Sequence, residues 1–282
     1  MITTKRHAIR IAILDLNDGL PNQGMRCIRQ IIDEWSATIN RDVIRQEFEV
    51  RQKNEIPDTS FDIYISSGGP GDPLVTRFDD WDIAWCDWVD EIVRWNNNPS
   101  NAVKKYVFFI CHSFQLASRY FNSGLVCKRR STSFGVFPVH MVGEGANEPV
   151  FEGLNDPFYA VDSRDYQVIQ PNQRMIREMG GALLCIEKNR PHVPYERAVM
   201  GIRFNDYMIG TQFHPEADAV GMQIRLQEEE KRRTVIENYG EEKLNSMLEQ
   251  LNDRDKILWT YSRIIPNFLN QATGVTATSA VA

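Results

Sequence analysis

The sequence lacks several features that define common classes of protein. No apolar run approaches the roughly 18–20 residues that span a bilayer. The basic N-terminal segment leads into a strand-like pattern and has neither the apolar core nor the cleavage site of a secretory signal. A net charge of −6 argues against a general surface for nucleic acid or anionic membranes. We therefore expect a cytoplasmic globular protein that binds neither nucleic acid nor membrane.

Metal and cofactor motifs are also missing. The five cysteines are widely and irregularly spaced, and the sequence has no Cys-x-x-Cys pair and no paired histidines. The Gly-Lys-Ser/Thr ending of a phosphate-binding loop and the glycine fingerprint of a dinucleotide fold are absent. The sequence therefore predicts neither a metal site nor a cofactor.

Short apolar runs alternate with amphipathic helical patterns along the chain. Five runs are typical of strands buried on both faces: Ile9–Leu14, Phe61–Ser66, Tyr106–Ile110, Ala182–Ile186 and Met208–Phe213. Between them, Gly24–Ile39 and Trp81–Trp95 carry apolar residues at steps of three and four, and we interpret the tryptophans as a packed helix face. The alternation predicts a three-layer α/β fold, a mostly parallel central sheet with helices on both faces.

The composition changes after the last of these strands. Residues 1–217 are predicted to form one catalytic domain, because no repeat and no second set of strand–helix units follows. Residues 218–270 are rich in charged side chains with apolar residues at helical intervals, which predicts a helical extension packed on the same domain. Residues 271–282 are small and polar, which predicts a disordered tail. The sequence leaves the oligomeric state open, and a homo-oligomer is one of the alternatives.

A cysteine stands at the junction between a predicted strand and a predicted helix. Cys111 follows Tyr106–Ile110 and precedes a helical pattern. The positive end of such a helix favours a thiolate over a thiol, and its free backbone N–H groups can hold an oxyanion. The sequence therefore marks Cys111 as a candidate nucleophile.

Two further strand ends carry residues that suit such a nucleophile. His214 leaves the strand Met208–Phe213, and Glu216 can reach back to the imidazole, as in a nucleophile–base–orienter triad. Gly68 and Gly69 follow another strand, where glycine lets the backbone approach a substrate and donate to an oxyanion. The pattern predicts a Cys111–His214–Glu216 triad beside a glycine loop.

Three motifs in this order make the chain resemble the class I, triad-type glutamine amidotransferases, and within them a stand-alone domain of the GMP-synthase type. The resemblance extends over roughly three quarters of the chain. The family's Ser-Gly-Gly-Pro-Gly loop, its Gly-x-Cys-x-Gly-x-Gln elbow and its Gln-Phe-His-Pro-Glu motif are matched at Ser67–Gly71, at Cys111 and Gln115, and at Gln212–Glu216. The resemblance implies a flavodoxin-like sheet between helices and hydrolysis of a glutamine side-chain amide to glutamate and ammonia.

The resemblance also implies roles for individual residues. The N–H groups of Gly69 and His112 would stabilise the oxyanion, and Gln115 would fix the substrate. His214 would donate a proton to the leaving ammonia and then activate water. The substrate would be glutamine or a γ-glutamyl compound, and the ammonia would either pass to a synthetase in a separate chain or be released by a stand-alone hydrolase.

The chain departs from the family pattern at two places. The elbow glycines on either side of the cysteine are Phe109 and Ser113, and the histidine-led segment after a later strand is Ser163-Arg164-Asp165. These departures bear on the substrate pocket more than on the triad.

Other interpretations remain open at the level of sequence. A γ-glutamyl peptide or amide hydrolase would use the same triad, as would an acyltransferase for homoserine on a related fold. A catalytically degenerate regulatory or scaffold protein could use the helical extension as its interface. The sequence names neither the physiological substrate nor the acceptor of the ammonia.

Overall fold

One large sheet organises the chain. The computed structural model describes residues 7–190, 194–252 and 254–275. Within these residues nine strands join in the order β2-β1-β3-β4-β9-β8-β6-β5-β7. Their bounds are β1 Ile9–Asp15, β2 Val43–Glu49, β3 Ile63–Ser66, β4 Tyr106–Ile110, β5 Leu125–Met141, β6 Phe158–Ile169, β7 Ala182–Glu187, β8 Val199–Asn205 and β9 Met208–Thr211.

The sheet has a parallel half and an antiparallel half. The pairs β1–β2, β1–β3, β3–β4 and β4–β9 are parallel. Strands β5, β6, β7 and β8 pair with one another in antiparallel fashion, and β8 joins them to β9. The prediction of a mostly parallel sheet is therefore wrong for the second half. The long β5–β6 pair explains the difference, because antiparallel strands need no helical crossover between them.

Helices follow most of the parallel strands and form the C-terminal part of the chain. The described residues include α1 Gln23–Thr38, α2 Val50–Lys53, α3 Asp80–Asn97, α4 His112–Tyr120, α5 Gln173–Glu178, α6 Ala219–Gln227, α7 Glu229–Tyr239, α8 Glu241–Asn252 and α9 Arg254–Thr273. None of these helices is long and apolar enough to cross a membrane.

Two apolar cores cover the two faces of the sheet. On one face, buried residues of α1 and α9 pack against β1 residues such as Ile11 and Ile13. On the other face, α3 and α4 cover Ala12 and Leu14 of the same strand. Most of the tryptophan stripe predicted as a packed face lies in this second core, with Trp81, Trp85 and Trp88 buried. The alternation of Cβ directions along β1 thus produces the three layers.

The C-terminal helices contact the domain at two places. Residues of α6, α7, α8 and the start of α9 form a third apolar cluster with β5 and β6. The later turns of α9 belong to the core under α1. Helix α9 continues through Thr273 and so includes the first residues of the tail predicted to begin at residue 271; residues 276–282 lie outside the described residues.

We predict that α9 is an integral part of the core. Phe268 is 1% exposed, and its ring meets Phe108 of β4 edge-on at 5.2 Å between ring centroids. Replacement by alanine should lower the free energy of unfolding by about 3–5 kcal/mol, because a large buried ring is lost and a cavity remains. Urea denaturation measures this change. Leu258→Ala on the same helix is the control, since Leu258 is 53% exposed and should stay within about 0.5 kcal/mol of wild type.

Candidate active site at the carboxyl edge of the sheet

Cys111 occupies a sharp turn between β4 and α4. Its backbone has φ 49° and ψ −98°, a conformation that a residue with a side chain adopts only when its surroundings enforce it. Its N–H donates to the Thr211 carbonyl at 2.8 Å, and its carbonyl accepts from the Gln115 N–H at 3.0 Å. Hydrogen bonds to β9 and to the first turn of α4 therefore hold the cysteine at the edge of the sheet.

A large aromatic side chain replaces the first elbow glycine. Phe109 packs edge-on between Trp85 and Phe204, at 5.6 and 5.8 Å between ring centroids. Its partner on β9 is Gly210, and a Cβ atom added there would lie 3.0 Å from the Phe109 Cβ. The small residue that makes room for Phe109 is therefore Gly210, on the neighbouring strand β9.

Ser113 replaces the second elbow glycine and ties the elbow to the sheet. Its hydroxyl accepts from the Ile110 N–H at 2.8 Å and donates to the Ser66 carbonyl at 2.7 Å. The residue is fully buried. Its side chain thus satisfies backbone groups at the ends of β3 and β4 and stabilises the turn.

His214 and Glu216 lie beside Cys111. The His214 N–H donates to the Val161 carbonyl of β6 at 2.8 Å, which fixes the backbone after β9. The imidazole Nδ1 is 2.8 Å from Glu216 Oε1, and Glu216 is 2% exposed. The imidazole and the Cys111 Cβ atom both lie within 4 Å of the position that a Cβ atom on Gly68 would take. The three residues predicted to form the triad therefore lie together around one pocket.

The charges around His214 favour the protonated form of its imidazole. Burial opposes a charge on His214, but the Glu216 carboxylate and the negative charge of a Cys111 thiolate outweigh it and raise the pKa of the imidazole well above its ordinary value. A protonated His214 can donate a proton to a leaving group and afterwards act as a base.

The glycine loop approaches the triad where no side chain would fit. A Cβ atom on Gly68 would lie 2.9 Å from His214 Cε1 and 3.5 Å from Cys111 Cβ. On Gly69 it would lie 2.2 Å from the Leu16 carbonyl oxygen. Both glycines are therefore needed for the close packing of this loop.

The other two predicted site residues are buried under the elbow. His112 is 2% exposed, and burial, with Arg51 and Arg119 nearby, lowers the pKa of its imidazole to about 3. The ring is neutral at physiological pH, so its side chain is a poor candidate for a second base. The Gln115 amide donates to the Tyr166 carbonyl and to Gln212 Oε1, both at 3.2 Å. These internal contacts leave Gln115 as part of the pocket floor.

A cavity of about 270 Å³ opens in front of Cys111. All seven predicted site residues line it, together with residues that sequence reasoning missed, among them Asn17, Asn22, Gly24 and Tyr166. Asn17 follows the parallel strand β1 and could have been predicted, because the carboxyl ends of parallel strands meet at one edge of the sheet. No such signal marks Tyr166, because it lies inside the antiparallel strand β6.

The sequence of the chain matches one family model over most of its length. The model describes the class-I glutamine amidotransferase domain, and the match covers residues 27–229. The chain belongs to the class I glutamine amidotransferase family. The resemblance inferred from the motifs is confirmed, and membership places the chain among proteins that transfer or hydrolyse the amide of glutamine. No curated protein matches the chain by sequence.

Solved structures share the fold of this chain at low sequence identity. A glutamine amidotransferase from Thermotoga maritima has a TM-score of 0.64 and 14% identity, with 95% of this chain and 99% of that chain covered. A putative GMP synthase component from Thermoplasma acidophilum has a TM-score of 0.53 and 16% identity over 88% and 99%. The glutaminase domain of Trypanosoma brucei CTPS with bound acivicin has a TM-score of 0.57 and 12% identity over 95% of each chain.

We predict that Glu216 controls the protonation of His214. Glu216→Gln removes the carboxylate that raises the imidazole pKa, so this pKa should fall. NMR titration of the His214 ring protons measures the change. Asp218→Asn is the matched control, because the Asp218 carboxylate bonds to Arg26 at 2.7 Å and not to the imidazole. An unchanged His214 pKa in Glu216→Gln would contradict the assigned electrostatics.

Proposed function

We propose that the protein hydrolyses the side-chain amide of glutamine and releases ammonia through an acyl-enzyme on Cys111. The observation that carries this proposal is that Cys111, His214 and Glu216 line one pocket beside the glycine loop, with His214 Nδ1 2.8 Å from Glu216 Oε1. Membership of the class I glutamine amidotransferases supports glutamine as the substrate.

The first half of the reaction forms a thioester. The Cys111 thiolate attacks the amide carbon, and a bond forms between Sγ and this carbon. The negative charge moves to the amide oxygen, where the N–H groups of Gly69 and His112, both at the wall of the pocket, receive it. The C–N bond then breaks, and the nitrogen leaves as ammonia with the proton that the His214 imidazolium donates.

The second half regenerates the enzyme. Water attacks the thioester carbon while neutral His214 accepts its proton, and the Glu216 carboxylate stabilises the imidazolium that forms. The C–S bond breaks, glutamate leaves, and the thiolate and imidazolium return to their starting states. No redox partner or further reactant enters either half.

We further propose that the ammonia passes to a synthetase in a separate chain. Two structures of the same fold are described as a putative GMP synthase component and as the glutaminase domain of a CTPS. Both descriptions refer to a part of a larger synthetic enzyme. A purified chain that hydrolyses glutamine only when a co-purified synthetase is present would favour this arrangement over a stand-alone hydrolase.

Replacement of the nucleophile tests the proposal. Cys111→Ser should lower kcat for glutamine hydrolysis by about 10⁴-fold or more, because loss of a triad nucleophile removes most of the rate enhancement. Release of ammonia, followed with a coupled dehydrogenase, measures the rate. Cys127→Ser is the matched control: Cys127 is a half-buried cysteine of β5 that does not line the pocket. Activity retained by a folded Cys111→Ser protein would overturn the proposal.

A further inference from the structure

The glycine loop is anchored on the side that faces the N-terminal half of the sheet. Ser67 Oγ accepts from the Leu16 N–H at 3.0 Å, and the Pro70 carbonyl accepts from Arg51 Nη1 at 2.5 Å. These anchors hold the start of the loop against β1 and α2. The outer side of the loop, formed by residues 68–71, lines the pocket.

A tyrosine on the opposite wall reaches this outer side. The Tyr166 hydroxyl of β6 donates to Asp72 Oδ2, at the end of the glycine loop. The other carboxylate oxygen, Oδ1, accepts from the Leu74 N–H at 2.8 Å. Asp72 therefore connects the loop both to its own continuation and to a strand 94 residues further along the chain.

The charge states of the pair suit this bond. Burial raises the pKa of Asp72, but the hydrogen bonds from Tyr166, Leu74 and Val75 outweigh it and hold this pKa below its ordinary value. Burial and the neighbouring Asp72 raise the pKa of Tyr166 to about 12. A phenol donates to a carboxylate throughout the physiological range of pH, which is a strong form of hydrogen bond.

The other end of Tyr166 leads back to the nucleophile. Its carbonyl accepts from Gln115 Nε2 at 3.2 Å, and the same nitrogen donates to Gln212 Oε1 at 3.2 Å. Gln212 Nε2 lies 3.8 Å from Cys111 Sγ. Tyr166 thus spans the pocket from its floor beneath the cysteine to the rim formed by the loop.

We propose that Tyr166 and Asp72 are positioning residues that hold the glycine loop at the distance where it stabilises the oxyanion formed on Cys111. This inference rests on the proposed function. An oxyanion donor acts through placement, and a displacement of the order of 1 Å can cost about 100-fold in rate. Gly68 already lies against His214, so movement of the loop changes the geometry of the reacting groups directly.

The decisive variant is Tyr166→Phe, which removes one hydroxyl and retains the ring. We expect kcat for glutamine to fall about 10- to 100-fold with a much smaller change in KM, because the loop acts mainly in the transition state. Alkylation of Cys111 by iodoacetamide should keep its wild-type rate, because that reaction needs no oxyanion donor. A general structural defect would change both rates and the Tm.

Substitutions of Asp72 test the partner. Asp72→Asn retains an acceptor for Leu74 and a polar contact to Tyr166, so kcat should stay within about fivefold of wild type, the cost of about one neutral hydrogen bond. Asp72→Ala removes both contacts and should lower kcat as much as Tyr166→Phe. The double variant Tyr166→Phe, Asp72→Ala should be no worse than Asp72→Ala, because the two residues act as one unit.

Tyr120→Phe is the matched control. The Tyr120 hydroxyl also bonds to an aspartate, Asp90 at 3.3 Å, but this pair lies outside the pocket. Its kcat should be unchanged. If wild type does not hydrolyse glutamine, the proposed function and this inference both fail. If wild type is active and Tyr166→Phe keeps its kcat, or Asp72→Asn falls as far as Tyr166→Phe, only the positioning role is overturned.

Discussion

Parallel pairing of β3, β4 and β9 is the constraint on which the rest of the site depends. Because the three strands run in one direction and are neighbours in the sheet, their carboxyl ends meet at one edge. The glycine loop, the cysteine turn and the histidine segment leave from these ends. Gly68 and His214, which are more than 140 positions apart in the sequence, thereby lie side by side.

The cysteine turn shows how a strained backbone persists without its usual glycines. Ser113 supplies hydrogen bonds to Ile110 and Ser66, which bind the turn to two strands. Phe109 fills space that Gly210 on β9 leaves open. The positive φ of Cys111 is therefore enforced by its neighbours, and the same contacts hold Cys111 at the edge of the sheet where His214 lies.

The parallel half of the fold, and the meeting of Cys111, His214 and Glu216 in one pocket at its edge, could be predicted because their signals are local. Apolar runs with polar residues at their ends mark strands buried on both faces, and the order of the strand ends follows the chain. Strands β5 and β6 carry a weaker signal, since β5 includes the charged run Lys128–Arg130 and pairs antiparallel with β6 through an irregular register. The sequence does not identify Tyr166, because its proposed role depends on Asp72 and only the tertiary fold brings the two residues together.

In the proposed reaction, Cys111 is the nucleophile that attacks the amide of glutamine. The most direct measurement is mass spectrometry of the protein after reaction with a glutamine analogue that carries an electrophile in place of the amide. We expect one adduct per chain, on the peptide that contains Cys111, and protection by excess glutamine. An adduct on any of the other four cysteines, or none at all, would contradict it.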